Sequence, residues 1–286
     1  MNLYYRILLK FVLTTIGIIL IAAVPALFQG MKLDVSTYVA GVESIVSSIF
    51  HPGTITYELH QEMYPLFPGI WARWEYSIML LFLAFFVAFL LALALTYVTM
   101  LLPRKGREKI KFLLYLTESV PDVLVIGFFI VIVIPLYKHT GILLFNIAAY
   151  GDERILILPT IALAALPTLL FYRNLIYDFE EEISELYIDV AKSKGLRFYE
   201  VLFFHVLRNA IIRIFLQAKS IIGFMLSSLL IVEYIFETDG MLRFMFDHYS
   251  PEILTVGLLL LFVPIYAVQS LMQIMIEKTT GRQVEV

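Results

Sequence analysis

The sequence predicts an all-α, polytopic membrane protein with six transmembrane helices, and three observations carry that reading. Sixty per cent of the residues (60%) are hydrophobic and only 16% are charged, with a mean hydropathy of +0.87, values outside the range of soluble domains. Apolar runs close to the ~20 residues needed to cross a bilayer recur between polar connections. Lysine and arginine collect in alternate connections, as expected when basic loops stay in the cytoplasm, and this places both termini inside. The chain has no cysteine, which excludes disulfides, thiolate metal sites and cysteine nucleophiles. The net charge of −3 carries little information, because placement of charge matters more than its sum in a membrane protein.

The first apolar run, residues 11–28, follows Arg6 and Lys10. A cleaved signal peptide is the other reading of such a start, but Pro25-Ala26-Leu27-Phe28 makes a poor cleavage site, and a first span is expected. Residues 29–75 form the longest polar connection, with Asp34, Glu43, Glu58, Glu62 and Glu75 against Lys32 and Arg73, and are expected outside the cell. Within them 39–50 can form an amphipathic helix, and Tyr57, Tyr64, Phe67, Trp71 and Trp74 suit the headgroup level. The remaining segment, 76–286, holds five further spans. The second span, 78–102, ends at a basic stretch, 103–111, that fixes it to the cytoplasm.

The third span, 112–137, carries Glu118 and Asp122 around Pro121, which interrupts the hydrogen-bond ladder. Carboxylates inside a span face protein or water, so these two are candidates for a pathway, or simply sit close enough to the interface to stay wet. An outer loop, 138–154, leads to a fourth span, 155–171, with Pro159 and Pro167. The fifth span, 214–236, contains Gln217, Lys219 and Glu233; Lys219 can snorkel or pair with a carboxylate, and Glu233 lies near the outer end. A last outer loop, 237–250, precedes the sixth span, 253–276, and a polar tail.

Residues 178–213 are the longest polar insertion in the second half. Asp178 is placed as an N-cap with Glu181 three residues on. Ile183, Leu186, Tyr187, Val190 and Ala191 fall on one helical face, and Glu181, Glu185 and Asp189 form an acidic stripe opposite. Gly195 stops the helix, and a second helix starts near Arg197 and runs into the fifth span. So short a helix needs its apolar face covered. A lipid surface is one cover, but an acidic polar face is repelled by an anionic leaflet, which favours a protein partner.

Asp189-Val190-Ala191, then Gly195, then His205-Val206-Leu207-Arg208-Asn209-Ala210 resemble the EAA coupling loop of binding-protein-dependent ABC importers. The ending is similar to that of the oligopeptide, dipeptide and nickel branch. Asp189 stands for the family's Glu, Val190 for its first Ala, and Arg208 where the general motif has Pro. Leu158-Pro159, Leu166-Pro167, the stretch 118–122 and Val232-Glu233-Tyr234-Ile235-Phe236 extend the resemblance over most of 76–286. Asp239 in place of Pro and the missing Asp-Pro-Arg near the tail mark a divergent member.

The resemblance implies a type I ABC importer permease of the inner membrane, forming half of a pathway for peptides, nickel chelates or a related small solute. It implies a second, related permease, an extracytoplasmic solute-binding protein, and two ATP-binding subunits that hold ATP and magnesium. Glu181, Glu185 and Asp189 would meet basic groups of the ATPase, Ala191 and Gly195 would allow close approach, and Leu207 belongs to the same motif. Glu118, Asp122, Gln217 and Lys219 are the pathway candidates.

No phosphate-cradling Gly-x-x-x-x-Gly-Lys-Ser/Thr, metal-binding His-Glu-x-x-His or Gly-x-Ser-x-Gly elbow occurs in the sequence, and the five histidines are dispersed. No catalytic site, cofactor, metal site or nucleic-acid module is expected in this chain. Two rival readings stay open: an ion- or proton-coupled secondary transporter using Glu118, Asp122 and Lys219 as relays, and a non-transporting sensor or assembly subunit on the same fold.

Overall fold

The computed structural model of the protein describes residues 3–29, 32–117, 119–140 and 154–280. Helix α1 is Leu3–Ala22, earlier than the apolar run alone suggested. It stops where Pro25 enters a short 3₁₀ turn, Val24–Leu27, after which β1 (Phe28–Gln29) pairs with β2 (Lys32–Leu33). Asp34 then caps α2, Val35–Phe50, accepting from the backbone N–H groups of Ser36 at 2.9 Å and Thr37 at 3.3 Å. That cap starts the helix before the expected residue 39.

Strands β3 (Thr56–Leu59) and β4 (Glu62–Pro65) form an antiparallel hairpin in the register Leu59↔Glu62. Its two-residue turn, His60-Gln61, has both residues in the left-handed region, φ 52° and 67°. Helix α3, Ile70–Met100, has 31 residues, ample to cross a bilayer with tilt.

The expected third span, 112–137, is two helices, broken where Pro121 was expected to interrupt the hydrogen-bond ladder. Helices α4 (Arg104–Thr117) and α5 (Asp122–Thr140) meet at 97°. Pro121 has no N–H to continue α4, and its carbonyl instead accepts the first bonds of α5 from Leu124 at 3.1 Å and Val125 at 3.3 Å. Glu118, most of the expected 138–154 loop and residues 281–286 lie outside the described residues.

Helix α6 is Ile157–Ile183, α7 Leu186–Ser193 and α8 Phe198–Val201. A π-helical turn, Leu202–Val206, joins α8 to α9, Leu207–Ile235; α10 (Met241–Asp247) and α11 (Pro251–Thr280) complete the chain. Five helices are long and apolar enough to cross a membrane, and a sixth span results if α4 and α5 count as one broken crossing.

By internal contacts the chain divides into two units, Met1–Ile78 with Asp239–Val286, and Met79–Thr238. In the first, α1 lies on α11. Arg6 pairs with Glu277 at 2.6 Å, the Tyr266 hydroxyl donates to the Ile7 carbonyl at 2.6 Å, and Phe11 stacks 5.6 Å from Phe262. Ala22, Ala23 and Ile45 form a fully buried cluster that seats α2. In the second unit, α6 packs on α9 and α5 touches both. Phe171, buried in α6, sits edge-on to Phe85 and Phe89 of α3. The Thr99 and Tyr172 hydroxyls bond each other across the same pair of helices. Lipid tails are as apolar as these side chains, so close packing and such polar contacts, rather than expulsion of water, hold the helices together.

One glycine is set by space. A Cβ on Gly257 of α11 would stand 1.9 Å from Sδ of Met245 and 2.8 Å from its Cγ. Both Met245 and its neighbour Met241 on α10 are buried. Gly257→Val is expected to cost about 1–3 kcal/mol through overpacking. A lowered thermal midpoint in detergent, partly restored by adding Met245→Ala, is the result that checks it.

Candidate functional site

The polar insertion folds differently from its sequence expectation at one end. Asp178 is not an N-cap: α6 runs through it to Ile183, and Asp178 and Glu182, one turn apart, are buried on the face toward α9. Leu175 and Phe179 continue the apolar packing of that helix past the expected end of the span, so no free helix start exists at Asp178. Ser184 ends α6, its N–H donating to the Glu181 carbonyl at 3.0 Å, and Glu185 takes the N-cap position of α7.

Burying two carboxylates is costly unless each finds partners, and α9 supplies them. Asn209, Arg213 and Gln217, spaced at four residues, form one polar face of α9. Arg213 is the centre: its guanidinium bonds Glu182, reaches Glu181 at 2.6 Å and lies 3.8 Å from Asp178. The Gln217 amide donates to Asp178 at 3.0 Å. The Asn209 amide donates to Glu182 at 3.0 Å and to the Tyr187 hydroxyl at 2.9 Å, while that hydroxyl donates to Glu182 at 2.5 Å. Burial first, and then the Glu182 carboxylate beside it, raise the Tyr187 phenol to about 12. The knot therefore ties three elements, α6, α7 and α9, through charge-assisted bonds.

Helix α7 shows a different inner face from the one its periodicity suggested. Ile188 and Ala191 are buried, whereas Leu186 and Val190 are 82% and 56% exposed. Ala191 is thus turned into the chain's own packing. Glu181, Glu185 and Asp189 are all exposed, with Glu181 on Arg213 and Asp189 on Lys192 at 3.2 Å. Gly195 adopts φ +83°, a left-handed conformation that suits glycine and ends the helix as expected.

Beyond it the Arg197 N–H donates to the Glu200 carboxylate at 2.7 Å, closing the start of α8. The π turn that follows leaves Phe203 and Phe204 exposed, with Leu207 half-buried at the start of α9. On the neighbouring α4, Arg107 and Lys111 hold Glu180 at 3.1 and 2.9 Å.

Of the pathway candidates, Asp122 accepts from the Ser228 hydroxyl at 2.9 Å at the start of α5, and Gln217 belongs to the knot. Lys219 is exposed on α9, and Glu118 lies outside the described residues. The residues that sequence reasoning did not assign to a site are Glu182, Tyr187, Asn209 and Arg213. The four-residue spacing of Asn209, Arg213 and Gln217 leading into a span was the signal that could have found the two on α9. Among the described residues no group of three or more metal-binding side chains is placed to hold an ion.

Residues 84–280 match the family described as binding-protein-dependent transport system inner membrane component. The chain is 30% identical over 115 residues to the dipeptide transport system permease protein DppB of Escherichia coli K12, covering 38% of this chain and 34% of that protein. It is 34% identical over 129 residues to DppB of Lactococcus lactis subsp. cremoris, covering 45% of this chain and 41% of the relative. For DppB of Bacillus subtilis the figures are 31% over 98 residues, 34% and 32%. The chain thus spans between about a third and two fifths of the length of these relatives.

The knot gives two testable expectations. Glu182→Ala should destabilise the protein by about 2–3 kcal/mol, short of the full cost of breaking a buried pair because Arg213 keeps Glu181 and Asp178. Leu186→Ser should be neutral, and thermal unfolding in detergent compares the two. Tyr187 should resist ionisation: below its unfolded value of about 10 its contribution is complete, and it is lost as pH climbs toward 12. An ultraviolet titration in which Tyr187→Phe removes one phenol ionising near 12 checks this.

Proposed function

Since the chain belongs to the family of binding-protein-dependent transport system inner membrane components, we propose that it is one permease subunit of an ATP-driven importer of peptides or a related small solute, worked through α7. It is a multi-pass inner-membrane transport protein and not itself an enzyme. The peptide class follows the relatives named above. The orientation that goes with this reading keeps α7 in the cytoplasm and residues 29–75 and 237–250 outside.

The observation that carries the coupling assignment is the exposed edge of α7. Leu186 and Val190, one turn apart, are exposed beside the acidic row of Glu185 and Asp189, while the other side of the helix is tied to α9 through Tyr187 and Asn209. An apolar ridge with carboxylates along one side fits a groove with an apolar floor and a basic wall, the kind of surface an ATPase subunit would present. A push on α7 then reaches α9 through bonds already made, because Glu182, Tyr187, Asn209 and Arg213 leave little slack between the two helices. Two ATP-binding subunits would supply the movement, with ATP and magnesium bound there.

Transport follows from tilting helices, since backbone in lipid must keep its own hydrogen bonds. Lys219, Ser220, Gly223 and Ser227 are exposed along one side of α9. An ammonium group in a span is costly against lipid. That side therefore suits a second permease subunit and the aqueous path between the two, with Asp122 at its rim and Glu118 close by in sequence. An extracytoplasmic solute-binding protein would deliver cargo to the outer segments.

A pull-down of the chain from detergent-solubilised membranes tests the reading. Wild type should bring down an ATP-binding subunit and a second permease. Asp189→Lys/Gly195→Pro should lose the ATPase and keep the permease, because proline cannot adopt the φ of +83° at position 195. Absence of any ATPase from the wild-type sample under mild conditions would overturn the assignment and favour a transporter driven by an ion gradient.

A further inference from the structure

Helix α4 turns away from α5 at 97°, so it does not continue the direction in which α5 runs. Nor is it needed for a crossing, because α5 alone has 19 residues, close to the ~20 that span a bilayer. A helix nearly perpendicular to a spanning one lies along the membrane surface, and the 14 residues of α4 make about 21 Å of such a helix. One side of it is fixed to the chain: Leu114 is buried, and Arg107 and Lys111 hold Glu180 of α6.

The opposite side is a stripe of two chemistries in succession. Lys105, Lys109, Phe112 and Leu116 follow one another at four, three and four residues, the spacing of one helical face, and all four are exposed. The cations stand in the first half of the helix and the apolar side chains in the second. Glu108, the one acidic residue of α4, is taken by Lys111 at 2.7 Å. Arg104, Lys105 and Lys109 make no hydrogen bond or ion pair among the described residues, so the basic end is left uncompensated.

We propose that this stripe binds an anionic phospholipid, with the phosphate against Lys105 and Lys109 and an acyl chain along Phe112 and Leu116. Charge complementarity selects the headgroup, and the apolar second half selects an amphiphile over a soluble anion. A free phosphate would use only the cations and a neutral lipid only the apolar end; an anionic lipid uses both. The chemistry of the stripe stands apart from the reading above, which supplies only the leaflet. In that orientation α4 meets the cytoplasmic leaflet, and the exposed carboxylates of α7 are on the same side of the membrane. An anionic surface then draws α4 down and repels α7, keeping the acidic row in water. Through Glu180 the bound lipid also steadies the end of α6 that carries Glu181 and Glu182.

The test uses the full-length chain in vesicles, without nucleotide or ATPase, so its outcome is independent of the pull-down. The sequence has no cysteine, so Ser119→Cys, exposed just beyond the apolar end of α4, takes a thiol-reactive fluorophore at a single place. Vesicles of phosphatidylcholine then receive increasing fractions of phosphatidylglycerol or phosphatidylcholine with brominated acyl chains, which quench the label on contact. Phosphatidylglycerol is expected to quench with an apparent affinity about fivefold or more above that of phosphatidylcholine. Adding Lys105→Gln/Lys109→Gln should bring that ratio close to one, while Lys278→Gln, which removes an exposed cation at the end of α11, should leave it unchanged. Excess inorganic phosphate should not displace the lipid. Equal quenching by the two lipids would overturn the proposal and leave the stripe to a protein partner. A ratio that survives the double variant, falls as far in Lys278→Gln, or is abolished by phosphate would overturn it as well.

Discussion

A carboxylate buried at the end of a membrane helix must be neutralised, and the neutralisation of Glu182 decides how the polar insertion is built. Its two oxygens take bonds from Arg213, Asn209 and Tyr187, which come from two other helices. Removing any one of them would leave part of a charge without a partner in a poorly solvated place. The placement of α7 depends on this, since a helix of eight residues has little stability of its own. The exposed ridge of Leu186 and Val190 is presented at a fixed angle because the opposite side of the same helix is bonded down.

The same logic runs through the rest of the chain. Helices in lipid gain little from burying apolar surface against one another, so close packing and hydrogen bonds at their contacts hold them together. Arg6 with Glu277, Tyr266 with the Ile7 carbonyl, and Ser228 with Asp122 are examples from both units. Hydroxyls without a neighbour across the contact, such as Thr96 and Thr168, bond the carbonyl one turn back on their own helix. The chain thus satisfies its polar groups either across a helix contact or within the helix, and the former set records which helices must stay together.

Much of this was legible in the residues. Hydropathy found the spans, Pro121 found the break between α4 and α5, and Gly195 found the end of α7, because each acts locally through the backbone. The cap Asp34 was equally local and gave α2 an earlier start than periodicity alone did. The inner face of α7 was not legible: Leu186 and Ile188 are equally apolar, and only the position of α9 decides which one is covered. Glu182 was hidden for a similar reason, as one carboxylate in a run of three whose exposures differ only once Arg213 is in place. The edge-on contact of the Tyr57 and His248 rings joins residues far apart in sequence, which no spacing rule connects.

The π turn at Leu202–Val206 has a consequence for how this protein can change over time. A π turn holds one residue more than the α-helix that would replace it. Deleting one of the adjacent Phe203 and Phe204 would therefore shorten the joint while leaving α9 in phase, so that Asn209, Arg213 and Gln217 still face α6. The same deletion within α9 would turn everything after it by roughly 100° and carry the polar face away from Glu182. Length variation in this loop is tolerable at that joint and ruinous a few residues later.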